Sequence, residues 1–413
     1  ITIDVASGKT LTYSGAALSL GAYTLTMSGG GTLSNTNALV LNNASSKLLL
    51  NSITVDNVST SLASLGLDVD ASSTVSSLTV GHTTPVSIAS GKSLSGAITV
   101  TAGSVKLDET GILASTIVMS GGTLDVDETL YLTGALTQSG NITIDVADGK
   151  TLTYTGAAIS LGAYTLTLSG EGRLSNPPMT EGGYSSNDLV LNNASSKLLL
   201  SSSITVDSVS TSLASLGLDV NDDSTVSSLT VGHTTPVSIA AGKTLSGAIT
   251  VTAGSIKLDE AGTLASTIAM SGGTLDVDET LTVSGALTPS GDITIDVKAG
   301  EVLTYSGLKV SLGANTLTLS GGGTLGNTTP ILLNNATSKL LLNSITVGWV
   351  STGLANSGLD VDGDSTVTSL TVGYTTPVSI ASGITLSGGI TVTGGSIKLD
   401  EAGTLGSTVS MSG

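Results

Sequence analysis

Two acidic strips hold the side chains of this chain best suited to chemistry. Asp108 and Glu109 are followed 19 residues later by Asp127 and Glu128. The same spacing relates Asp259 to Asp278 and Glu260 to Glu279. A third acidic segment reads Asp360-Val361-Asp362-Gly363-Asp364. Hard cations take several oxygen ligands, so carboxylates stacked by a repeat could hold Ca²⁺ between neighbouring coils. The plainer reading is a solvated acidic face. Two carboxylates about 4.8 Å apart repel by roughly 0.9 kcal/mol in water and about 3.5 kcal/mol at an effective dielectric of 20, and exposed side chains relieve this by splaying apart. The same spacing lays Lys106 beside Asp125 and Lys257 beside Asp276, which are favourable pairs. The Asp360 segment opens like a calcium loop, but Thr371 stands where such a loop needs its bidentate glutamate. An inward-facing Val361 would by itself turn the flanking aspartates outward.

Other reactive residue types are scarce. His82 corresponds to His233 in a second copy of the surrounding sequence, and Tyr374 holds the place in a third. That pattern reads as a polar turn residue and offers no Ser-His-acid arrangement. The single arginine, Arg173, lies in a Gly-rich stretch where the other copies carry Thr32 and Thr324, and it reads as part of a turn. A polysaccharide-active β-helix enzyme is the competing reading. It would need a basic proton acceptor or clustered carboxylates, and aromatic platforms for sugar. Aromatics make up 2% of the chain, and Lys106 simply recurs as Lys257 and Lys398. The chain is therefore expected not to be an enzyme. Outward Thr-x-Thr ladders raise a further alternative, an ice-binding solenoid. Val302 in place of Thr10, and the serine of Ser77-Leu78-Thr79, break that match.

The elements that would carry these residues come from repetition. ITIDVASGKTLTY starts at Ile1, ITIDVADGKTLTY at Ile142 and ITIDVKAGEVLTY at Ile293. Three superrepeats follow, over 1–141, 142–292 and 293–413. The second carries an inserted surface loop over 176–188, rich in Pro, Gly and Ser. The third stops mid-unit, and the chain opens on Ile1 rather than Met, so the sequence reads as a piece or processed product of a longer chain. A shorter step runs inside each unit. Leu67 and Val69 are followed at 19-residue spacing by Val86 and Ile88, then Val105 and Leu107, then Leu124 and Val126. Elsewhere the step is expected to stretch to about 20–27 residues, with Ser59 to Leu67 as one longer turn.

Thr10-Leu11-Thr12 and Thr24-Leu25-Thr26 alternate polar and apolar residues, the period of a half-buried strand. Turn signals such as Ser28-Gly29-Gly30-Gly31 separate such runs, and nothing reads as a helix. The expected fold is all-β: a parallel β-helix, or β-solenoid, of about 19–23 residues per coil, with six to seven coils per superrepeat. Leu and Val columns would lie inside and Thr and Ser ladders outside. A string of immunoglobulin-like sandwiches is the alternative, but such cores rest on aromatic anchors, and this chain has no Phe and one Trp.

Composition narrows the partners. Net charge is -18, which argues against nucleic acid and against anionic membranes. There is no Cys, so disulfides and thiolate metal sites are excluded. No run of 18 apolar residues exists, so no membrane insertion is expected.

The strings ANTLTLSGGGTLGN (Ala314 to Asn327) and AYTLTLSGEGRLSN (Ala163 to Asn176) resemble the Thr/Leu/Gly-rich strand repeats of bacterial autotransporter passengers and large secreted adhesins. The resemblance implies a secreted β-helix that displays a surface or forms a fibre. The expectation is an extracellular or cell-surface structural or adhesive rod. Its partners would be further copies, through end-to-end or lateral assembly, and cell surfaces or polysaccharide. No cofactor is required, with Ca²⁺ the one candidate.

Overall fold

A computed structural model describes residues 1–176 and 187–412. Most of the inserted loop, 177–186, lies outside the described residues. The fold is all-β, with no helix among them. The strands pair in parallel and in register with the next turn of chain, as in a β-solenoid. The immunoglobulin-sandwich alternative is thereby overturned, since sandwich strands pair antiparallel. The chain divides into two compact units, Ile1–Val209 and Ser210–Gly413. The first contains ten turns, with one face running from Thr2–Asp4 to Lys197–Leu200. The second also contains ten, from Gly217–Val220 to Ile397–Leu399.

Alternation explains the core. In the second unit Leu218 pairs with Val237, Val237 with Leu258, Leu258 with Val277, and Val277 with Val297. All are at most 1% exposed. In the first unit Val105, Leu124, Ile144 and Leu168 form an equivalent column. These side chains point inward because they sit at every second position, and each turn closes its backbone hydrogen bonds on the next. Burying a branched aliphatic side chain contributes about 1.5–3 kcal/mol, so the columns carry most of the stability.

The register corrects the expected spacing at one rung. Leu67 and Val69 do pair with Val86 and Ile88, and Val105 and Leu107 with Leu124 and Val126, at 19 residues. Between them, however, Thr84 pairs with Val105 and Pro85 with Lys106, a step of 21 residues. The same step recurs at Thr235–Ile256 and Thr376–Ile397. Side-chain direction alternates with period two, so a slip of two residues leaves every aliphatic facing inward, and hydrophobic pattern alone cannot detect it. The slip brings a threonine into the core. Thr84 is fully buried, and its hydroxyl bonds the His82 carbonyl at 2.8 Å and the Thr60 hydroxyl at 2.9 Å. Thr235 and Thr376 repeat the arrangement with Thr211 and Thr352.

Ser59 to Leu67 is not a longer turn. Leu48 pairs with Leu67 at a 19-residue step, and the segment bends into an exposed corner carrying Leu62 and Leu65. The corner closes on Gly66, where φ is +81° and an added Cβ would lie 1.9 Å from the Pro85 carbonyl oxygen of the next turn. The longest step spans the insert, with Thr165 paired to Lys197. The roots of that insert are not surface residues: Asn176 and Asn187 are 0% and 1% exposed. Asn176 Nδ2 donates to the carbonyls of Asn187 and Ser208, at 3.0 and 2.7 Å.

Candidate functional site: the acidic strip

The strip lies on the outer side of the face formed by Thr84–Ile88, Ser104–Leu107, Thr123–Val126 and Ile142–Val146. Val105 and Leu107 point inward, so Lys106 between them points out. In-register pairing then lays Lys106 beside Asp125, and Asp125 beside Asp145. Lys106 Nζ is 3.6 Å from the Asp125 carboxylate and forms a closer ion pair with Asp127. Asp127 stacks on Asp108, because its N–H donates to the Leu107 carbonyl at 2.8 Å. The carboxylate of Asp108 turns the other way and accepts from Ser87 Oγ at 2.6 Å. Glu128 is met by Lys150 at 2.7 Å, and Glu109 is exposed.

The second unit repeats the scheme with one change. Lys257 lies beside Asp276, but its ion pair is with Asp278. Asp259 accepts from Ser238 Oγ at 2.6 Å, and Glu260 is exposed. Each stacked aspartate therefore already has a lysine or serine partner from a neighbouring turn.

The Asp360 segment does not converge on a point. Asp360 ion-pairs with Lys339 on the preceding turn. Asp364 Oδ1 accepts the Thr385 N–H of the following turn at 2.8 Å. Asp362 is exposed, and its N–H bonds the Leu342 carbonyl at 2.9 Å. Among the described residues no group of three or more His, Cys, Asp or Glu side chains is arranged to hold a metal ion.

The stacking leaves an electrostatic signature. Burial pushes the Asp125 carboxyl above the usual range; Lys106 pulls it down, and the charges of Asp127 and Asp145 push it further up. Asp276 is raised in the same way, by burial and then by Asp278. The Lys106 ammonium is raised by its hydrogen bond to Asp127, and Lys257 by its bond to Asp278. A groove on this face is lined by Ser104, Thr123, Asp125, Thr143, Asp145 and Ser169. Ser169 Oγ donates to Asp145, so hydroxyls satisfy part of this charge too.

Sequence reasoning missed several ion pairs, among them Lys150–Glu128 and Lys339–Asp360 and, with the most buried carboxylate of the three, that of Arg173. Arg173 belongs to the strand Arg173–Ser175, not to a turn, and its guanidinium donates to Asp207 Oδ1 at 2.6 and 3.1 Å. Asp207 is 8% exposed and also accepts from Ser175 Oγ at 2.9 Å. The corresponding Asp56 accepts instead from the serine hydroxyls of Ser34 and Ser76. The register pairs Arg173 with Thr205, so the guanidinium reaches two residues along the neighbouring strand to Asp207, a diagonal contact that the repeat spacing does not announce.

No family model matches the chain, and no curated protein and no solved structure matches it either. What the structure establishes is the coarser statement, a repetitive parallel β-solenoid.

Proposed function

We propose that this chain is a structural or adhesive element of an extracellular fibre, placed at the cell surface and assembling with further copies of itself. One observation supports the reading above others: in each unit, turn after turn presents the same dry aliphatic column and the same in-register parallel ladder. Such a stack resists extension, because lengthening it means breaking many backbone hydrogen bonds and wetting the core at once. A unit of ten turns, at about 4.8 Å each, spans roughly 50 Å. The outer faces carry hydroxyls, amides and Lys–Asp rungs. Length is then the quantity that repetition sets, and the surface is the part that meets cells or polysaccharide.

The test combines location and form. Antibody labelling of intact cells should decorate their exterior, and negative-stain images of purified protein should show thin, straight particles. Labelling only after lysis, or round particles, removes the proposal. Two assays address the competing readings. Release of reducing or unsaturated sugar from a polysaccharide panel would indicate an enzyme, and thermal hysteresis an ice binder.

A further inference from the structure

A tripeptide of the form Asn-x-Ser/Thr recurs at one corner of each copy: Asn43-Ala44-Ser45, Asn193-Ala194-Ser195 and Asn335-Ala336-Thr337. We propose that Asn43, Asn193 and Asn335 are attachment sites for N-linked glycans. This rests on the extracellular reading above for the enzyme and sugar donor to be encountered.

The corner geometry carries the inference. The structural work is done by the neighbours. Asn42, Asn192 and Asn334 accept the N–H of Gly21, Gly162 and Gly313 at 2.9–3.0 Å. Ser46, Ser196 and Ser338 are fully buried, and each donates to the carbonyl of that same glycine. The middle asparagine is placed differently. Its Oδ1 accepts the N–H two residues on, at 2.9, 2.9 and 3.1 Å, which folds the tripeptide into an Asx turn. Among the described residues that leaves its Nδ2 without a protein partner, on a half-exposed side chain at Asn43 and Asn193 and on an exposed one at Asn335. The hydroxyl residue is itself exposed, and Thr337 Oγ1 reaches Asn335 Oδ1 at 3.1 Å. A hydroxyl donating to Oδ1 withdraws charge from the carbonyl oxygen and leaves the amide nitrogen free. Ser45 and Ser195 become Thr337 in the third copy, so the hydroxyl persists while the side chain changes.

Other tripeptides of this form are built differently. Asn57 lies within the strand Thr54–Thr60, and its Nδ2 donates to the Asn35 carbonyl at 2.5 Å. Asn327 is 8% exposed, with Nδ2 bonded to the carbonyls of Thr329 and Trp349. Asn141 is exposed, but its Oδ1 accepts the Thr165 N–H of the neighbouring turn rather than the N–H two residues on, so no Asx turn forms; Asp292 fills that role in another copy toward Thr316.

The donor is a lipid diphosphate-linked sugar used by an oligosaccharyltransferase. The Asn Nδ2 forms a bond to the anomeric carbon as the carbon–oxygen bond to the diphosphate breaks. The diphosphate leaves with the electron pair, and one amide proton passes to a carboxylate of the transferase. No oxidant or reductant takes part.

The experiment offers the folded full chain to an oligosaccharyltransferase that accepts Asn-x-Ser/Thr, with its lipid-linked donor, and maps glycopeptides by mass spectrometry. Three sites should carry sugar, at Asn43, Asn193 and Asn335, with Asn57, Asn141 and Asn327 bare. Ser45→Ala and Ser195→Ala should each remove one glycan and leave the melting temperature unchanged; Thr337→Ala should remove the third while also losing the bond from Thr337 Oγ1 to the Ala314 carbonyl at 3.2 Å. A bare folded chain, when a free peptide with the Asn43 tripeptide is modified in the same tube, overturns the proposal; so does equal modification of Asn57, Asn141 and Asn327. The assay is independent of cell-surface labelling, so a failure of location and a failure of acceptor geometry are read separately.

Discussion

At the scale of single residues, a buried tyrosine hydroxyl and a half-buried carboxylate set measurable stability. Tyr305 is 3% exposed, its hydroxyl accepts the Leu287 N–H at 3.1 Å and donates to the Leu308 carbonyl at 2.5 Å, and Tyr154 does the same with Leu136 and Ala157. Tyr305→Phe leaves a buried N–H unpaired and should cost about 1–3 kcal/mol in urea unfolding at neutral pH. Trp349, the single tryptophan, lies in the same unit and gives the fluorescence readout. Burial raises the Tyr305 hydroxyl above its ordinary 10.0. Its contribution therefore declines as pH climbs past 10, and the variant should lose less stability there than the parent. Asp276 works in the opposite pH range. A raised folded pKa means that the ionised carboxylate is disfavoured by the fold, so the penalty is complete at neutral pH and absent below the ordinary 3.8. Asp276→Asn should raise the melting temperature at pH 7, and the gain should vanish as pH drops through the carboxylate range. Since lysines and serines already meet the stacked aspartates, melting should be the same with calcium or with chelator. A chelator-dependent drop would instead place a cation in the strip.

At the scale of elements, the corners decide how closely turns approach. Gly217 has φ +86°, and a Cβ there would sit 2.0 Å from the Pro236 carbonyl oxygen. Gly242 has φ +75° with open space around it. Both substitutions to Ala incur the left-handed backbone penalty of about 1–2 kcal/mol. Gly217→Ala must also push two turns apart, so it should cost about 2–4 kcal/mol in all, against about 1 for Gly242→Ala. Equal losses in chemical denaturation would mean that the corner yields freely. A bulge at Gly247 has similar logic: its φ is +121°, and the register between Ser224–Val231 and Thr244–Val251 shifts after Val226. These corners keep successive rungs in contact where step lengths differ.

For the whole molecule, charge is the lever that solvent controls. The net charge is -18, and the Lys–Asp rungs neutralise only part of it. Repulsion between exposed carboxylates is screened within about 8 Å at physiological ionic strength. Raising NaCl from 10 to about 300 mM should therefore increase the melting temperature; a decrease would show that the attractive rungs outweigh the repulsion. The same acidity keeps copies apart at low salt, so any lateral assembly should strengthen with salt when followed by light scattering.

Much of this architecture was legible in the order of residues. Leu67, Val69, Val86 and Ile88 lie at one 19-residue step and pair as that spacing requires, and Lys106 falls beside Asp125 for the same reason. A repeat that buries one face of each strand leaves few other ways to stack. Tertiary structure alone decided the two-residue slip at Thr84, because alternation is blind to even shifts. It also decided that Lys257 pairs with Asp278 rather than Asp276, since a flexible ammonium can reach either neighbour and the local packing selects one. Arg173 and Asp207 meet only once the long step across the insert is closed, 34 residues apart in sequence. Periodicity specifies which side faces in; contact across unequal turns specifies which partners touch.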